Sequence, residues 1–247
     1  IYYKLLIPPA SGSNSFSIKY SFGKNINSKM TFFRHSNMSG VPTPNGLSSL
    51  NANRNDESIQ LNGVSAKGVD WNKSEDQINR YLQLLNLIQG DDLFSILDYG
   101  CGYGALVKIL EDLKINFDYI GLDISPLMIK AAKDLYQDND NVTFENGSDI
   151  HTKCDYILAS GVFNVKLETA DELWRKYLVK MLDEFNKYSN KGFAFNCLSS
   201  YSDLDKQSTK LFYANPLELF DVCKKKYSDN VSLIHNYGLY EFTILVN

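Results

Sequence analysis

Three glycines spaced two apart follow a short apolar strand, and this feature constrains the chain more than any other. The segment runs Asp98-Tyr-Gly100-Cys-Gly102-Tyr-Gly104. Because glycine has no Cβ, a backbone that contains it can turn sharply from a strand into a helix and let a ligand lie against it. Asp123 comes 25 residues after Asp98, at the end of the next predicted strand. Parallel strands end side by side, so the Asp123 carboxylate is expected to accept hydrogen bonds from the two hydroxyls of a ribose.

Two cofactors compete for such a pocket. The glycines also fit the dinucleotide fingerprint G-x-G-x-x-G/A, with Ala105 in the last position. In a dinucleotide site the pyrophosphate lies at a helix N-terminus, where the Asp98 carboxylate would repel it. S-adenosylmethionine has no phosphate and carries a cationic sulfonium and ammonium, which a carboxylate attracts. These residues favour S-adenosylmethionine over NAD, and they leave open a third interpretation in which Asp98 only caps a helix or turn.

Several segments resemble a known family. The segment Asp98–Gly104, Asp123 and the later Asn146–Asp149 resemble the successive motifs of class I S-adenosylmethionine-dependent methyltransferases. The resemblance extends from about Gly68 to Asn247. Four further segments resemble a bacterial subgroup whose members often accompany surface-polysaccharide genes: Val69–Tyr81, Ala159–Asn164, Phe193–Asn196 and His235–Phe242.

The order of apolar patterns predicts the fold. Residues 1–63 are predicted to form a partly irregular N-terminal arm or lid, because residues 8–63 are rich in Ser, Asn, Gly and Pro. Residues 64–247 are predicted to form one α/β domain, with a Rossmann-like, seven-stranded, mostly parallel sheet, helices on both faces and a C-terminal antiparallel hairpin. Helix starts are predicted at Ser74–Gln77, Ser125-Pro126, Thr169–Glu172 and Asn215-Pro216.

The resemblance and the strand ends together predict the cofactor contacts. In the resembling fold the helix after Ser74 leans over the cofactor, which implies that Trp71 covers the ligand while Gln77 and Arg80 reach its methionine carboxylate. A solvent-facing Arg80 is the alternative. Ser148 and Asp149 are expected to bond the adenine, although Asp149 also suits a turn. The predicted cofactor-binding set is Trp71, Gln77, Arg80, Asp98, Gly100, Cys101, Gly102, Gly104, Asp123, Ile124, Met128, Gly147, Ser148, Asp149, Ala159, Ser160 and Gly161.

The sequence constrains the methyl acceptor more weakly than the cofactor. Methyl transfer to oxygen needs a base to take the hydroxyl proton, and His35 and His235 are the predicted catalytic residues, each with a purely structural role as the alternative. Methyltransferases that act on amide or exocyclic nitrogen resemble each other in an Asn/Asp-Pro-Pro-aromatic turn, which Ala159–Asn164 does not match. We therefore expect O-methyl transfer to a small polar acceptor, such as a sugar or a phosphorylated capsule precursor. An NAD(P)-dependent oxidoreductase and a non-catalytic partner subunit with the same fold are the alternatives.

Composition sets further expectations. The 247 residues carry a net charge of −4, which gives no general reason to bind nucleic acid. The four cysteines form no C-x-x-C pair, so neither a metal site nor a disulfide framework is expected. The sequence contains no apolar run long enough to span a bilayer. Cytoplasmic localisation is the resulting expectation, and the oligomeric state is not predicted.

Overall fold

Eight strands form one sheet in the part of the chain that the structure describes. A computed structural model describes residues 56, 60, 74–90 and 93–247. Seven strands lie in the order β3-β2-β1-β4-β5-β8-β7, and β6 pairs with β5 outside this row. The strands are β1 (Phe94–Tyr99), β2 (Phe117–Asp123), β3 (Val142–Asn146), β4 (Cys154–Ala159), β5 (Ser189–Ser199), β6 (Tyr213–Ala214), β7 (Val231–Ile234) and β8 (Glu241–Val246). The helices are α1 (Ser74–Leu85), α2 (Ala105–Asp112), α3 (Pro126–Leu135), α4 (Asp171–Tyr188) and α5 (Pro216–Lys226), and a 3-10 turn covers Leu204–Lys206.

Strand direction decides which residues meet at the functional edge of the sheet. The first six strands pair in parallel, whereas β8 is antiparallel to both β5 and β7. Leu198 near the end of β5 therefore lies opposite Glu241, the first residue of β8. The start of β8 reaches the same edge of the sheet as the carboxyl ends of the parallel strands. Ligands bind at this edge in α/β sheets.

Two apolar cores lie on the two faces of the sheet. Phe193 and Phe195 on β5 pack with Trp174 and Phe185 of α4. Ala194, which points to the opposite face, packs in a second core with residues of α1, α2 and α3. This alternation is the period of a strand that is covered on both sides. The predicted doubly covered, mostly parallel sheet with its C-terminal hairpin is confirmed; the short strand β6 was not predicted.

Two of the predicted helix starts are built as expected. The Ser125 hydroxyl accepts a hydrogen bond from the Met128 backbone N–H (3.1 Å), and the Asn215 side chain accepts from two backbone N–H groups of α5. The prediction for Thr169 is wrong, because Ala170 takes the cap position and the buried Thr169 hydroxyl has no hydrogen-bond partner among the described residues. None of the described helices is long and apolar enough to cross a membrane.

Gly104, directly before α2, is a position where stability depends on the missing Cβ. Its backbone is left-handed (φ 83°), and a Cβ there would lie 2.8 Å from Cζ of the buried Phe144. We expect Gly104→Ala to cost about 2–4 kcal/mol in unfolding free energy, from backbone strain and overpacking together. Gly90 is the matched control, since it is also left-handed (φ 68°) but has nothing within 4 Å of the added Cβ. Gly90→Ala should cost only about 1–2 kcal/mol. Urea unfolding of both variants measures the difference, and equal losses would contradict the expectation.

Candidate active site

The glycine segment after β1 folds into a tight loop at the carboxyl edge of the sheet. Gly100, Gly102 and Gly104 all have positive φ, at 76°, 58° and 83°. The Gly100 N–H donates to the carbonyl of Leu122 on β2 (2.7 Å), which ties the loop to the neighbouring strand. Residues with a Cβ adopt this backbone only with strain. The loop therefore has the left-handed backbone at Gly100, Gly102 and Gly104 that glycine adopts without strain.

Asp123 holds the glycine loop to the start of α3. Its carboxylate is buried, with the residue 2% exposed, and accepts from the backbone N–H groups of Gly102 and Ser125, both at 2.9 Å. Asp123 thus has a structural role in addition to the predicted one.

Asp98 lies near the end of β1, between β2 and β4. In the strand register it pairs with Gly121 on one side and Leu158 on the other. The residue is fully buried, and its Oδ2 accepts from the Tyr119 hydroxyl (2.9 Å). Burial, together with the negative charge of Asp98, raises the pKa of Tyr119 well above its usual value, which keeps this hydroxyl as a donor. Two buried carboxylates therefore lie at the ends of neighbouring strands, around one glycine loop.

The end of β3 is fixed to the same strand end. The Asn146 side chain and the Gly147 N–H both donate to the Asp123 carbonyl at 2.9 Å, and the Ser148 carbonyl accepts from the Tyr99 hydroxyl at 3.2 Å. Gly147 and Ser148 are half-buried, while Asp149 is exposed. The segment lies where the sequence predicts it, beside Asp123 and with an exposed carboxylate available to a ligand.

The first turn of α3 adds apolar contacts next to Asp123. Ile124 is half-buried, and Met128, at 2% exposed, packs with Tyr103 of the glycine loop and with Leu127. Asp56 joins this turn from an earlier part of the chain. Its carboxylate accepts from the Ser125 hydroxyl (2.5 Å). No sequence signal predicted Asp56 here, because it lies 69 positions from Ser125.

Gln77 and Arg80 both lie on helix α1 but contact different parts of the protein. The Gln77 side chain accepts from the hydroxyl of Tyr103 in the glycine loop (3.4 Å). The Arg80 Nε donates to the Glu241 carboxylate at 2.6 Å, and the two side chains are 1% and 0% exposed. The solvent-facing alternative for Arg80 is therefore wrong. Its predicted contact with the methionine carboxylate stays a prediction, and its pairing with Glu241 was not foreseen.

The end of β4 is anchored to β5. Ala159, Ser160 and Gly161 are buried, and Gly161 has a φ of 71°. The Gly161 N–H donates to the side-chain oxygen of Asn196 on β5 (2.5 Å). Asn196 belongs to the segment Phe193–Asn196, which resembles the bacterial subgroup, and it is not in the predicted cofactor-binding set. Asn196 therefore lies beside the predicted residues at the end of β4.

The remaining predicted residues lie outside this group. Trp71 and His35 are outside the described residues. His235 follows β7, four strand spacings from β1, which is about 19 Å at about 4.8 Å each. It is exposed, and its ring contacts Tyr201 and Phe242 at centroid distances of 6.0 and 6.1 Å. Partial burial lowers the pKa of His235, so its imidazole is neutral at pH 7.

The donor set fits S-adenosylmethionine. Buried carboxylates at Asp98 and Asp123 and the exposed Asp149 favour a ligand with positive charge and hydroxyl groups. The glycine loop lets the backbone approach that ligand closely. The same carboxylates would repel a pyrophosphate.

Comparison with known proteins agrees with this chemistry. A family model described as a methyltransferase domain matches residues 97–184. The Mycobacterium tuberculosis (strain ATCC 25618 / H37Rv) protein Rv1506c, named as a methyltransferase, is 46% identical over 162 residues, covering 66% of this chain and 98% of that protein. Two solved structures share the fold. The Pyrococcus horikoshii OT3 protein PH0226 has a TM-score of 0.55 and 18% identity, over 76% of this chain and 98% of that one. The complex of DhpI with SAM and HEP has a TM-score of 0.53 and 16% identity, over 82% and 98%.

The relative is matched over nearly its whole length, and the family model spans β1 to α4 with the glycine loop and Asp123 inside it. These matches agree with the donor set described above and set aside the NAD(P)-dependent oxidoreductase. The chain belongs to the class I S-adenosylmethionine-dependent methyltransferases.

Proposed function

We propose that this methyltransferase transfers a methyl group to a hydroxyl of a small polar acceptor, a sugar or a phosphorylated precursor, in surface-polysaccharide or capsule biosynthesis. One observation carries the donor half of the proposal. Asp98 and Asp123 are buried carboxylates at the ends of two neighbouring parallel strands, with the glycine loop between them.

Each part of the edge has a proposed role toward S-adenosylmethionine. Asp123 accepts hydrogen bonds from the ribose hydroxyls. Asp98 stabilises the positive charge of the methionine part, and Gln77 and Arg80 bind its carboxylate. Ser148 and Asp149 bond the adenine, and Ile124 and Met128 pack beside it. The rest of the proposed cofactor pocket is formed by two stretches of backbone, Gly100–Gly104 and Ala159–Gly161 at the end of β4.

Methyl transfer mainly requires that the methyl donor and the acceptor oxygen are aligned. S-adenosylmethionine supplies a methyl group on a cationic sulfur, which an acceptor oxygen displaces in line. The protein has to hold both partners in that line, which contributes much of the rate acceleration. Fixed strand ends and a loop anchored by Asp123 are suited to this task.

A small oxygen acceptor is supported by two features. The turn after β4 is Ala159-Ser-Gly-Val-Phe-Asn164, without the Pro-Pro-aromatic pattern typical of enzymes that methylate amide or exocyclic nitrogen. The net charge of −4 gives no electrostatic footprint for nucleic acid. The polysaccharide role rests on the resemblance of four segments to the bacterial subgroup.

Calorimetric titration tests the donor half. S-adenosylhomocysteine is expected to bind and NAD is not, and Asp98→Asn should weaken S-adenosylhomocysteine at least about tenfold by removing a buried charge that faces the ligand. Binding of NAD with no binding of S-adenosylhomocysteine would overturn the proposal. Binding of neither ligand would favour the non-catalytic partner subunit.

Transfer of labelled methyl groups tests the acceptor half. Nucleotide sugars, methyl glycosides and capsule oligosaccharides are compared with RNA, DNA and protein. Label is expected in a carbohydrate and stable to mild base, as an ether is. Label only in nucleic acid or protein would contradict the proposal.

The base is tested with two matched variants, His35→Gln and His235→Gln. Loss of a general base lowers kcat by about 10²–10⁴-fold. A base at His235 would titrate with a pKa below the usual value, because burial lowers it. The rate would then rise with pH, with a midpoint below the usual pKa of histidine. A pH profile of kcat for both variants checks this, and two unaffected variants would exclude both histidines.

A further inference from the structure

The four segments that resemble the bacterial subgroup lie far apart in the chain, yet each contributes one residue to a single region. Arg80 comes from the first segment, Asn164 from the second, Asn196 from the third and Glu241 from the fourth. All four are buried, at 0–6% exposed. We call these four residues the buried polar cluster.

Hydrogen bonds connect the cluster to the carboxyl edge. Glu241 accepts from Arg80 at 2.6 Å and from the Asn164 side chain at 3.4 Å. The Asn164 side-chain oxygen in turn accepts from the Leu198 N–H on β5 (2.9 Å). Two residues earlier on β5, Asn196 accepts from the Gly161 N–H (2.5 Å). The cluster therefore links α1, the end of β4, β5 and the start of β8.

The Asn196 side chain differs from the other buried amides. Its oxygen is bonded, but its Nδ2 is buried and has no hydrogen-bond partner among the described residues. In contrast, Asn164 donates to Glu241, and Asn79 donates to the carbonyl of Tyr237 at 2.9 Å. A buried donor without an acceptor costs about 1–3 kcal/mol, so native structures usually supply one. The bond to Gly161 fixes the amide orientation, so the unsatisfied side is its N–H.

The position of Asn196 indicates what supplies the missing acceptor atom. Phe195 is level with Ala159 in the strand register, which places Asn196 beside Ser160 at the end of β4. The proposed adenosine contacts lie at the ends of β2 and β3, whereas β5 lies beyond β1 and β4. Asn196 is as deeply buried as Asp98 and Asp123. Asn196 therefore lies buried at the same carboxyl edge of the sheet, on the side away from the proposed adenosine position.

We propose that the Nδ2 of Asn196 donates a hydrogen bond to a hydroxyl oxygen of the methyl acceptor, and that the rest of the buried polar cluster positions this amide. The proposal rests on the proposed function, since it takes S-adenosylmethionine to lie over β1 to β4. Asn196 then selects an acceptor with an oxygen at this point. An apolar group there would leave the donor unsatisfied.

Asn196→Asp is the variant that tests the Nδ2 donor most directly. One aspartate oxygen still accepts from the Gly161 N–H, while the other replaces the donor with an acceptor. We expect kcat/KM for the acceptor to fall about 10–100-fold, the equivalent of one lost donor, with the dissociation constant of S-adenosylhomocysteine within about threefold. Weakened S-adenosylhomocysteine with unchanged acceptor kinetics would overturn the proposal.

An NMR measurement on the unmodified protein does not depend on how the variant folds. The Asn196 side-chain NH₂ signals are assigned in ¹⁵N-labelled protein by their absence in Asn196→Asp, or by sequential assignment. With S-adenosylhomocysteine saturating, methyl glucoside, methyl mannoside and methyl rhamnoside are added in turn. At least one should shift the Asn196 signals and leave those of Asn79 in place.

The outcomes separate the two proposals. No binding of S-adenosylhomocysteine would overturn the proposed function, and this inference with it. Binding of S-adenosylhomocysteine followed by no response of Asn196 to any of the three glycosides would overturn the inference alone. Equal responses of Asn79 and Asn196 would also overturn it, because the shift would then not be specific to the unsatisfied donor.

Discussion

Asp123→Ala should lower the affinity for S-adenosylhomocysteine at least about 100-fold, and methyl transfer with it. The carboxylate accepts from Gly102 and Ser125, so its removal frees the glycine loop from α3 at the same time as it removes the proposed ribose contact. Hydrogen bonds to a charged group contribute about 1.5–3 kcal/mol each, and the loss of two such bonds, about 3–6 kcal/mol, weakens binding by at least about 100-fold. Calorimetric titration with S-adenosylhomocysteine measures the effect.

Asp118 provides the matched control for this experiment. It lies on the same strand, β2, but near the opposite end and exposed. Asp118→Ala changes the net charge by the same amount and should leave S-adenosylhomocysteine affinity within about twofold, since surface charges interact weakly through water. A thermal unfolding curve for each variant shows whether the protein is still folded. Tight binding by folded Asp123→Ala would contradict the assignment.

Breaking the ion pair between Arg80 and Glu241 is expected to produce the largest loss of stability. Both side chains are buried, so Arg80→Met leaves the Glu241 carboxylate without its ion-pair partner in a region of low dielectric. Removing one partner of a buried pair typically costs about 3–5 kcal/mol. Replacing both residues, as in Arg80→Met with Glu241→Leu, should recover much of that loss, because neither charge then remains to be desolvated. Urea unfolding of the two single variants and the double variant gives the coupling energy.

An exposed pair in the same protein is the comparison. Lys176 and Glu172 lie one turn apart on α4, with side chains 69% and 78% exposed. Lys176→Met should change the unfolding free energy by less than about 0.5 kcal/mol. Similar losses for Lys176→Met and Arg80→Met would show that burial does not govern the strength of the Arg80 pair.

The arrangement of the proposed donor residues at one edge of the sheet could be predicted from sequence because its signals are local. Three glycines in one turn, and a carboxylate near the end of each of two successive strands, lie within 26 residues of one another. Strand order follows from alternating patterns and the right-handed crossover rule, so their meeting at one edge could be inferred. The structure places these residues together as the pattern indicates.

The buried contacts between α1 and β8 depend on pairings that no local pattern encodes. Arg80 and Glu241 are 161 positions apart, and their pairing needs β8 to insert between β5 and β7 in the reverse direction. An arginine on an amphipathic helix looks the same in sequence whether it faces solvent or a buried carboxylate. The predicted helix cap at Thr169 was wrong for a related reason. A Thr-x-x-Glu pattern is compatible with a cap, but Ala170 took that position.

The reversed direction of β8 has a consequence for how this enzyme changes over evolution. Its first residue reaches the carboxyl edge of the sheet from the segment 235–240, while the strands whose ends carry the proposed adenosine contacts belong to an earlier part of the chain. The proposed adenosine contacts and the start of β8 are thereby encoded in separate stretches of the chain. Substitutions or insertions in the segment 235–240 can therefore reshape this edge of the sheet without changing the sequence of β1, β2 or β3.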